Sequence, residues 1–390
     1  MYKFIRFRTK CLIFVLDVIG FLTWNLVNVF RPWTFFRRNK LPLNPASILL
    51  IRVDYIGDVF LTTHTLKALR QRFPMASLTF LTSSKSKSVL ENNPYIDEII
   101  TYDPPWFFKK KLINMVKEYI LIWRKLKKNK FDLGVDYRGD LRNILLLLVL
   151  TAIPYRVSFG SSGGSYLLTQ KVPFIPYLHE AEYHNTVART LGAHPASSDI
   201  PQIHLTNDEI RQTDFFIDAN HLQGIHPLVI IVPGARQKTR IWPAERYAAV
   251  GKYLINCFSA KIILAGSLDE LSLLENLNRM LNRQAVITHP YISNIRQLAA
   301  LMQKCDLYIG VSSGPSHLAG SARLNSVLLF GPERKSQWRP LGNRHIIIKH
   351  EFACSPCTQI NCKNINANCI NAISVDEVCN AAYYLLSSQN

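Results

Sequence analysis

SILLIRVDYIGDVFLTT, residues 47–63, carries the reading of the fold. Ser47–Val53 is apolar and β-branched, as a strand buried on both faces of a parallel sheet must be. Gly57 then makes a turn, and a helix is expected to start near Asp58; Thr62–Phe73 has helical spacing. The same alternation runs outward from this stretch. Strands are expected at Leu78–Thr82, Glu98–Tyr102 and Asp132–Tyr137, with a long basic amphipathic helix over Leu112–Lys128. After a polar stretch around Ala193–Asp208 the pattern restarts. Strands are expected at Leu228–Pro233, Lys261–Gly266, Asp306–Val311 and Ser326–Gly331, and helices over Ala244–Cys257, over Asp269–Asn282 and from Ser316. Such alternation marks parallel sheets covered by helices. The chain is therefore read as α/β, with two Rossmann-like doubly wound domains facing across a cleft, residues 46–205 and 206–390, behind an amino-terminal segment, residues 1–45. Ligands of such sheets sit beyond the carboxyl ends of the strands, so the chemistry is sought in the loops there. Neither a P-loop nor a G-x-G-x-x-G fingerprint is present.

The bulk properties narrow the partners. A length of 390 residues suits two ordinary domains, and 48% hydrophobic residues exclude global disorder. The net charge of +19 calls for an anionic partner: nucleic acid, an anionic membrane or a phosphorylated substrate. Part of that charge is local. Lys3, Arg6, Arg8, Lys10, Arg31, Arg37, Arg38 and Lys40 flank the apolar run 11–30, and a second basic cluster spans Lys109–Lys130. Basic patches beside apolar segments fit a membrane surface better than a nucleic-acid groove, and no helix-turn-helix, zinc-finger or RNA-binding sheet signature occurs. The run 11–30 fits three placements: a helix in the interface, a transmembrane helix, or a helix packed on the protein. Lys3, Arg6, Lys10, Asp17, Asn28 and Arg31 fall near one stripe, which favours the interface. Pro32, Pro42 and Pro45 mark a linker.

Five strand-end motifs carry chemistry. In residues 51–63, Asp58 is either a helix-start carboxylate or a catalytic base, and Asp54 lies in the same loop. VPGARQKTRIWPAER, residues 232–246, sets Arg236, Lys238 and Arg240 before a helix opened by Pro243; cations there suit a diphosphate. GVSSGPSHLAGSA, residues 310–322, offers Ser313, Gly314 and the first helical N–H groups to phosphate, with His317 beside them. In LAGSLDE, residues 264–270, Glu270 is placed either to accept from ribose hydroxyls or simply to start a helix. Cys354, Cys357, Cys362 and Cys369 lie within sixteen residues and are candidates for a structural metal, in a spacing that matches no standard finger. Lys109, Lys110 and Lys111, with Asp54, are candidates for contacting a phosphorylated acceptor or the membrane.

Taken in order, these motifs resemble glycosyltransferase family 9, the lipopolysaccharide heptosyltransferases. The resemblance rests on R-x-D-x-I-G-D (Arg52 to Asp58), PGA with a later W-P-A-E-R (Pro233 to Arg246), S-G-P-x-H-L-A (Ser313 to Ala319), F-G-P (Phe330 to Pro332) and the cysteine cluster before a final helix. It covers roughly residues 46–388. It implies a GT-B fold, with the acceptor on the first domain and the donor on the second. It implies metal-independent, inverting transfer from ADP-heptose to a lipopolysaccharide core acceptor without a cofactor, at the cytoplasmic face of the inner membrane, peripheral or anchored by the amino-terminal helix. It places the base on Asp58, a diphosphate cation on Arg240, where many relatives have lysine, the ribose acid on Glu270, and the phosphate loop on Ser313, Gly314 and His317. One departure stands out. The family loop reads N-D-S-G, and here Ser312 replaces an aspartate that contacts the donor in relatives. It keeps two rivals in view: a transferase using another nucleotide-sugar, and a non-catalytic nucleotide-sugar or lipopolysaccharide binder.

Overall fold

A computed structural model of the chain describes residues 15, 17–26, 42–108, 111–342, 344–357, 362 and 368–388. Two compact units divide between Pro201 and Gln202. In the first, strands β1 (Ser47–Arg52), β2 (Ser77–Thr82), β3 (Glu98–Thr101), β4 (Leu133–Asp136), β5 (Tyr155–Phe159) and β6 (Gln170–Val172) form one parallel sheet in the order β3-β2-β1-β4-β5-β6. In the second, β7 (Leu228–Val232), β8 (Lys261–Leu264), β9 (Val286–Ile287), β10 (Leu307–Val311), β11 (Asn325–Leu329) and β12 (His345–Ile348) repeat that order as β12-β11-β10-β7-β8-β9, again parallel. Each sheet winds out from its first strand and then back past it. The reversal opens a crevice beside the first strand, between β1 and β4 in one unit and between β7 and β10 in the other.

The central strands are the most apolar because both their faces are covered. Ile48, Leu49, Leu50 and Ile51 are at most 1% exposed and split between two clusters: Ile48 and Leu50 pack with Leu78, Phe80 and Val135, while Leu49 and Ile51 pack with Leu81, Ile122 and Leu147. In the second unit Val229, Ile231, Ile309 and Val327 share one core with the fully buried Trp242 and Tyr247, whose rings meet edge to face at 4.8 Å.

The helices that matter below are α1 (Ile56–Thr62), α2 (Leu112–Asn129), α3 (Glu180–Thr190), α4 (Ala244–Phe258), α5 (Leu271–Met280) and α6 (Gly314–Ser321). α1 begins two residues before the expected start, so Asp58 lies inside its first turn. α6 likewise begins two residues before Ser316.

The amino-terminal run corrects one expectation. Asp17 was placed on the stripe that faces lipid headgroups, but its Oδ1 accepts from the Gly164 N–H at 2.6 Å. A carboxylate on an apolar helix is satisfied more cheaply by a backbone donor than by partial immersion. The helix over residues 17–26 also sets Gly20 against Tyr166, whose hydroxyl lies 1.9 Å from where a Cβ would stand. Val18, Ile19, Phe21, Leu22 and Leu26 stay exposed. Lys3, Arg6, Lys10, Asn28 and Arg31 lie outside the described residues, and among the described residues no helix is long and apolar enough to cross a membrane.

Trp242 anchors the second core twice, by its ring and by its Nε1 donating to the Ile373 carbonyl at 3.1 Å. Trp242→Ala is expected to cost about 3–5 kcal/mol, read as a lower guanidinium midpoint. Trp242→Phe should cost less, about 0.5–1.5 kcal/mol, because most of the ring packing stays and the Ile373 carbonyl still accepts from Arg246 Nη1 at 2.6 Å.

Candidate active site

At the reversal point of the first sheet sits a cluster of charge built around Arg52, the last residue of β1. Its side chain is 3% exposed. Nε faces Asp54 at 3.0 Å, Nη2 meets Glu180 at 2.9 Å and Asp58 at 3.5 Å, and Nη1 donates to the Tyr137 carbonyl at 3.1 Å. Burial works against the guanidinium's charge, but Asp54, Glu180 and Asp58 together outweigh it and hold the group more firmly protonated than usual. Arg138, on the loop after β4, pairs with the same Asp54 oxygen, Oδ2, that faces Arg52. That loop is shaped by buried Asp136, which accepts from the Gly139 N–H at 2.7 Å, Asn143 Nδ2 at 2.9 Å and the Ser158 hydroxyl at 2.8 Å.

Asp58 is the open edge of this cluster. Its side chain is 17% exposed, against none for Asp54 and 4% for Glu180. Burial pushes its carboxyl up to about 6; Arg52 pulls it back, and the charges of Asp54 and Glu180 push the same way as burial. A carboxylate at that level is a usable proton acceptor near neutral pH. Beneath α1, the His184 Nδ1 meets the Leu61 carbonyl at 3.0 Å; burial, and then Arg52, hold this histidine well below its ordinary value and so neutral. Beside Asp58 the surface is aromatic and cationic. Arg138 lies over the Phe107 ring at 4.4 Å, and Phe107 meets Tyr55 edge to face at 6.1 Å.

Not every expected acceptor residue belongs to that surface. Asp54, expected to face the acceptor, is fully buried and works as an internal counter-ion. Lys111 is exposed just ahead of α2, and Lys109 and Lys110 lie outside the described residues. Arg52, Arg138 and Glu180 were not among the residues expected from the sequence. The signal that could have found the first is an arginine inside an apolar strand, which needs buried acids opposite it.

In the second unit the expected residues converge on the reversal point between β7 and β10. Glu270 lies between two glycines at strand ends: its Oε1 is 1.8 Å from where a Gly234 Cβ would stand, and its Oε2 is 3.0 Å from that of Gly266. Oε2 also accepts from the Ser267 N–H at 2.7 Å and its hydroxyl at 3.0 Å. Glu270 thus serves as a helix-start carboxylate through Oε2, while Oε1 faces the Gly234 backbone. Arg240 ends a tight turn that starts at exposed Lys238, and its Nη1 points to the Ser312 carbonyl at 3.5 Å. Ser313 caps α6, Gly314 opens it, and His317 is buried one turn in. Ser312, just ahead of that cap, is 3% exposed.

The four clustered cysteines all carry free thiols. They line one small enclosed space with Thr239, Pro332 and Phe352, directly behind the Arg240 turn. Burial, and then nearby Cys357, push the Cys369 thiol up. Among the described residues no three His, Cys, Asp or Glu side chains are grouped as metal ligands are.

Two sheets of one order, with charged side chains gathered at each reversal point, can be set beside known proteins. Residues 120–367 match the model of glycosyltransferase family 9 (heptosyltransferase). The chain belongs to glycosyltransferase family 9. It is 24% identical to the lipopolysaccharide core heptosyltransferase OpsX of Haemophilus influenzae over 313 residues, 77% of this chain and 84% of that one. A glycosyltransferase family 9 structure from Veillonella parvula superposes with a TM-score of 0.76 at 24% identity, covering 89% of this chain and 99% of the other. The Escherichia coli ADP-heptose lipopolysaccharide heptosyltransferase II gives 0.67 at 19%, over 88% and 99%. This family 9 chain is thus a glycosyltransferase of the GT-B type, with two Rossmann-like units.

Arg52→Met leaves buried carboxylates without their shared cation. It is expected to destabilise the chain by about 3–5 kcal/mol at pH 7. The abandoned carboxyls then take up protons in the folded state, so the variant gains stability relative to wild type as pH falls. Urea unfolding at pH 7 and pH 5 checks this, and a gap that does not narrow would count against the cluster.

Proposed function

We propose that this family 9 enzyme transfers a heptose from ADP-heptose to a lipopolysaccharide core acceptor by a single inverting displacement. The observation that carries the mechanism is the Asp58 carboxyl, mostly buried but with an open edge, raised to about 6 above two more deeply buried acids. Asp58 takes the proton from an acceptor hydroxyl as that oxygen attacks the anomeric carbon, and the bond to the diphosphate breaks. Arg240, Lys238 and the first N–H groups of α6 neutralise the leaving diphosphate. Glu270 Oε1 accepts from the ribose. The reading of sugar and nucleotide draws support from the relatives, one named for ADP-heptose and one for the lipopolysaccharide core. Arg138, Phe107, Tyr55 and Lys111 form the proposed surface for a phosphorylated sugar acceptor, since arginine and aromatic faces suit phosphate and sugar rings.

The protein is proposed to work at the cytoplasmic face of the inner membrane. Support comes from the exposed apolar residues of the helix over 17–26 and from α2, which leaves Ile113, Val116 and Leu121 exposed among its lysines.

Nucleotide release with a lipopolysaccharide core acceptor is expected from ADP-heptose and not from UDP-, GDP- or CMP-sugars. Release from another donor would keep the fold and change the sugar. No release from any donor, with binding retained, would favour the non-catalytic reading that Ser312 keeps open. Asp58→Asn should slow transfer about 10²–10⁴-fold with donor affinity nearly unchanged; unaltered turnover would remove Asp58 from the role.

A further inference from the structure

Glu333 follows the Phe330-Gly331-Pro332 turn after β11 and is 6% exposed. Its Oε2 lies 3.7 Å from the Arg240 Nε. Both carboxylate oxygens are sealed from solvent and, among the described residues, accept no hydrogen bond, and the Arg240 Nε donates none. Among the described residues Arg240 is its counter-ion. A buried carboxylate with one distant partner is costly to keep, and a chain that keeps it gains something elsewhere. The backbone beneath it is held, because the Pro332 carbonyl accepts from the Cys357 N–H at 3.0 Å.

Arg240 therefore runs between two fixed points, the Glu333 carboxylate at its Nε and the Ser312 carbonyl at its Nη1. A lysine ammonium is a point charge that needs no orienting. A guanidinium is a planar fork, and it grips a phosphate with two bonds only when its plane is set.

We propose that Glu333 is a positioning residue of the donor site: from the loop after β11 it sets the Arg240 guanidinium to meet the diphosphate of the nucleotide-sugar. This rests on the donor-site reading above. Glu333 acts through Arg240 and touches no substrate. Held at Nε and at Nη1, the guanidinium keeps Nη2 for phosphate oxygens.

Calorimetric binding of ADP to the full chain tests it. Glu333→Gln keeps the volume and removes the charge, and is expected to weaken ADP about 10- to 100-fold. Arg240→Ala should weaken it at least as much, and Arg240→Ala with Glu333→Gln no more than Arg240→Ala alone. Ser312→Asp added to Glu333→Gln should recover part of the loss, which a merely structural role for Glu333 would not produce. Should Glu333→Gln not fold, Glu333→Asp serves, because it keeps the charge and shortens the reach, and it too must weaken ADP. ADP affinity in either variant equal to or tighter than wild type, or additive losses in the double variant, would overturn the proposal. If the wild-type chain binds none of ADP, UDP or GDP, the donor-site reading itself falls and takes the proposal with it.

Discussion

The buried guanidinium of Arg52 is the constraint on which the first unit depends. It stands at the end of the central strand, where the sheet reverses, and it joins both sides of that reversal: its own loop through Asp54, the start of α1 through Asp58, the end of β4 through the Tyr137 carbonyl, and α3 through Glu180. One cation cannot fully neutralise three acids, and Arg138 pairs only with the most buried of them. The residual negative charge, added to burial, settles on the most exposed member. Asp58 is thus a base of near-neutral strength, first because it is largely buried and then because of the acids behind it. Stability and reactivity at this end of the sheet come from one arrangement.

The second unit uses the same strand order for the opposite polarity. Its reversal point is lined by Arg236, Lys238 and Arg240 and by the amino end of a helix, and its acids are turned to other tasks. Glu270 caps a helix with one oxygen, and Glu333 lies buried beside Arg240. An acid-rich crevice suits proton removal, and a cation-rich one suits a diphosphate. The doubly wound sheet supplies the position and the loops supply the chemistry.

Much of this was legible in the sequence, for physical reasons. β1, β2, β7 and β10 announce themselves because a strand covered on both faces must be continuously apolar. Asp58, Arg240, Glu270 and the α6 loop were findable because each follows such a strand. Edge elements gave no comparable signal: β6 has three residues and β9 two, and β12 is only half buried. α3 was missed because Glu180, Glu182, His184, Asn185 and Arg189 hide its apolar stripe, and two of these are themselves buried in the charged cluster. Glu180 lies 128 residues from Arg52, and Glu333 lies 93 from Arg240, so no local pattern links either pair. Asp17 misled for the same reason, since its partner is the backbone of Gly164.

The claim at the centre of this account is that the Arg52 cluster sets the strength of Asp58. The most direct measurement is kcat/KM for sugar transfer between pH 4.5 and 8, in wild type and in Glu180→Gln. Because the Asp58 carboxyl is raised to about 6, wild-type activity should fall on the acid side with a midpoint near that value. Glu180 is one of the charges raising it, so the limb should move to lower pH in the variant. A wild-type limb near pH 4, or a limb near 6 that Glu180→Gln leaves in place, would contradict the account.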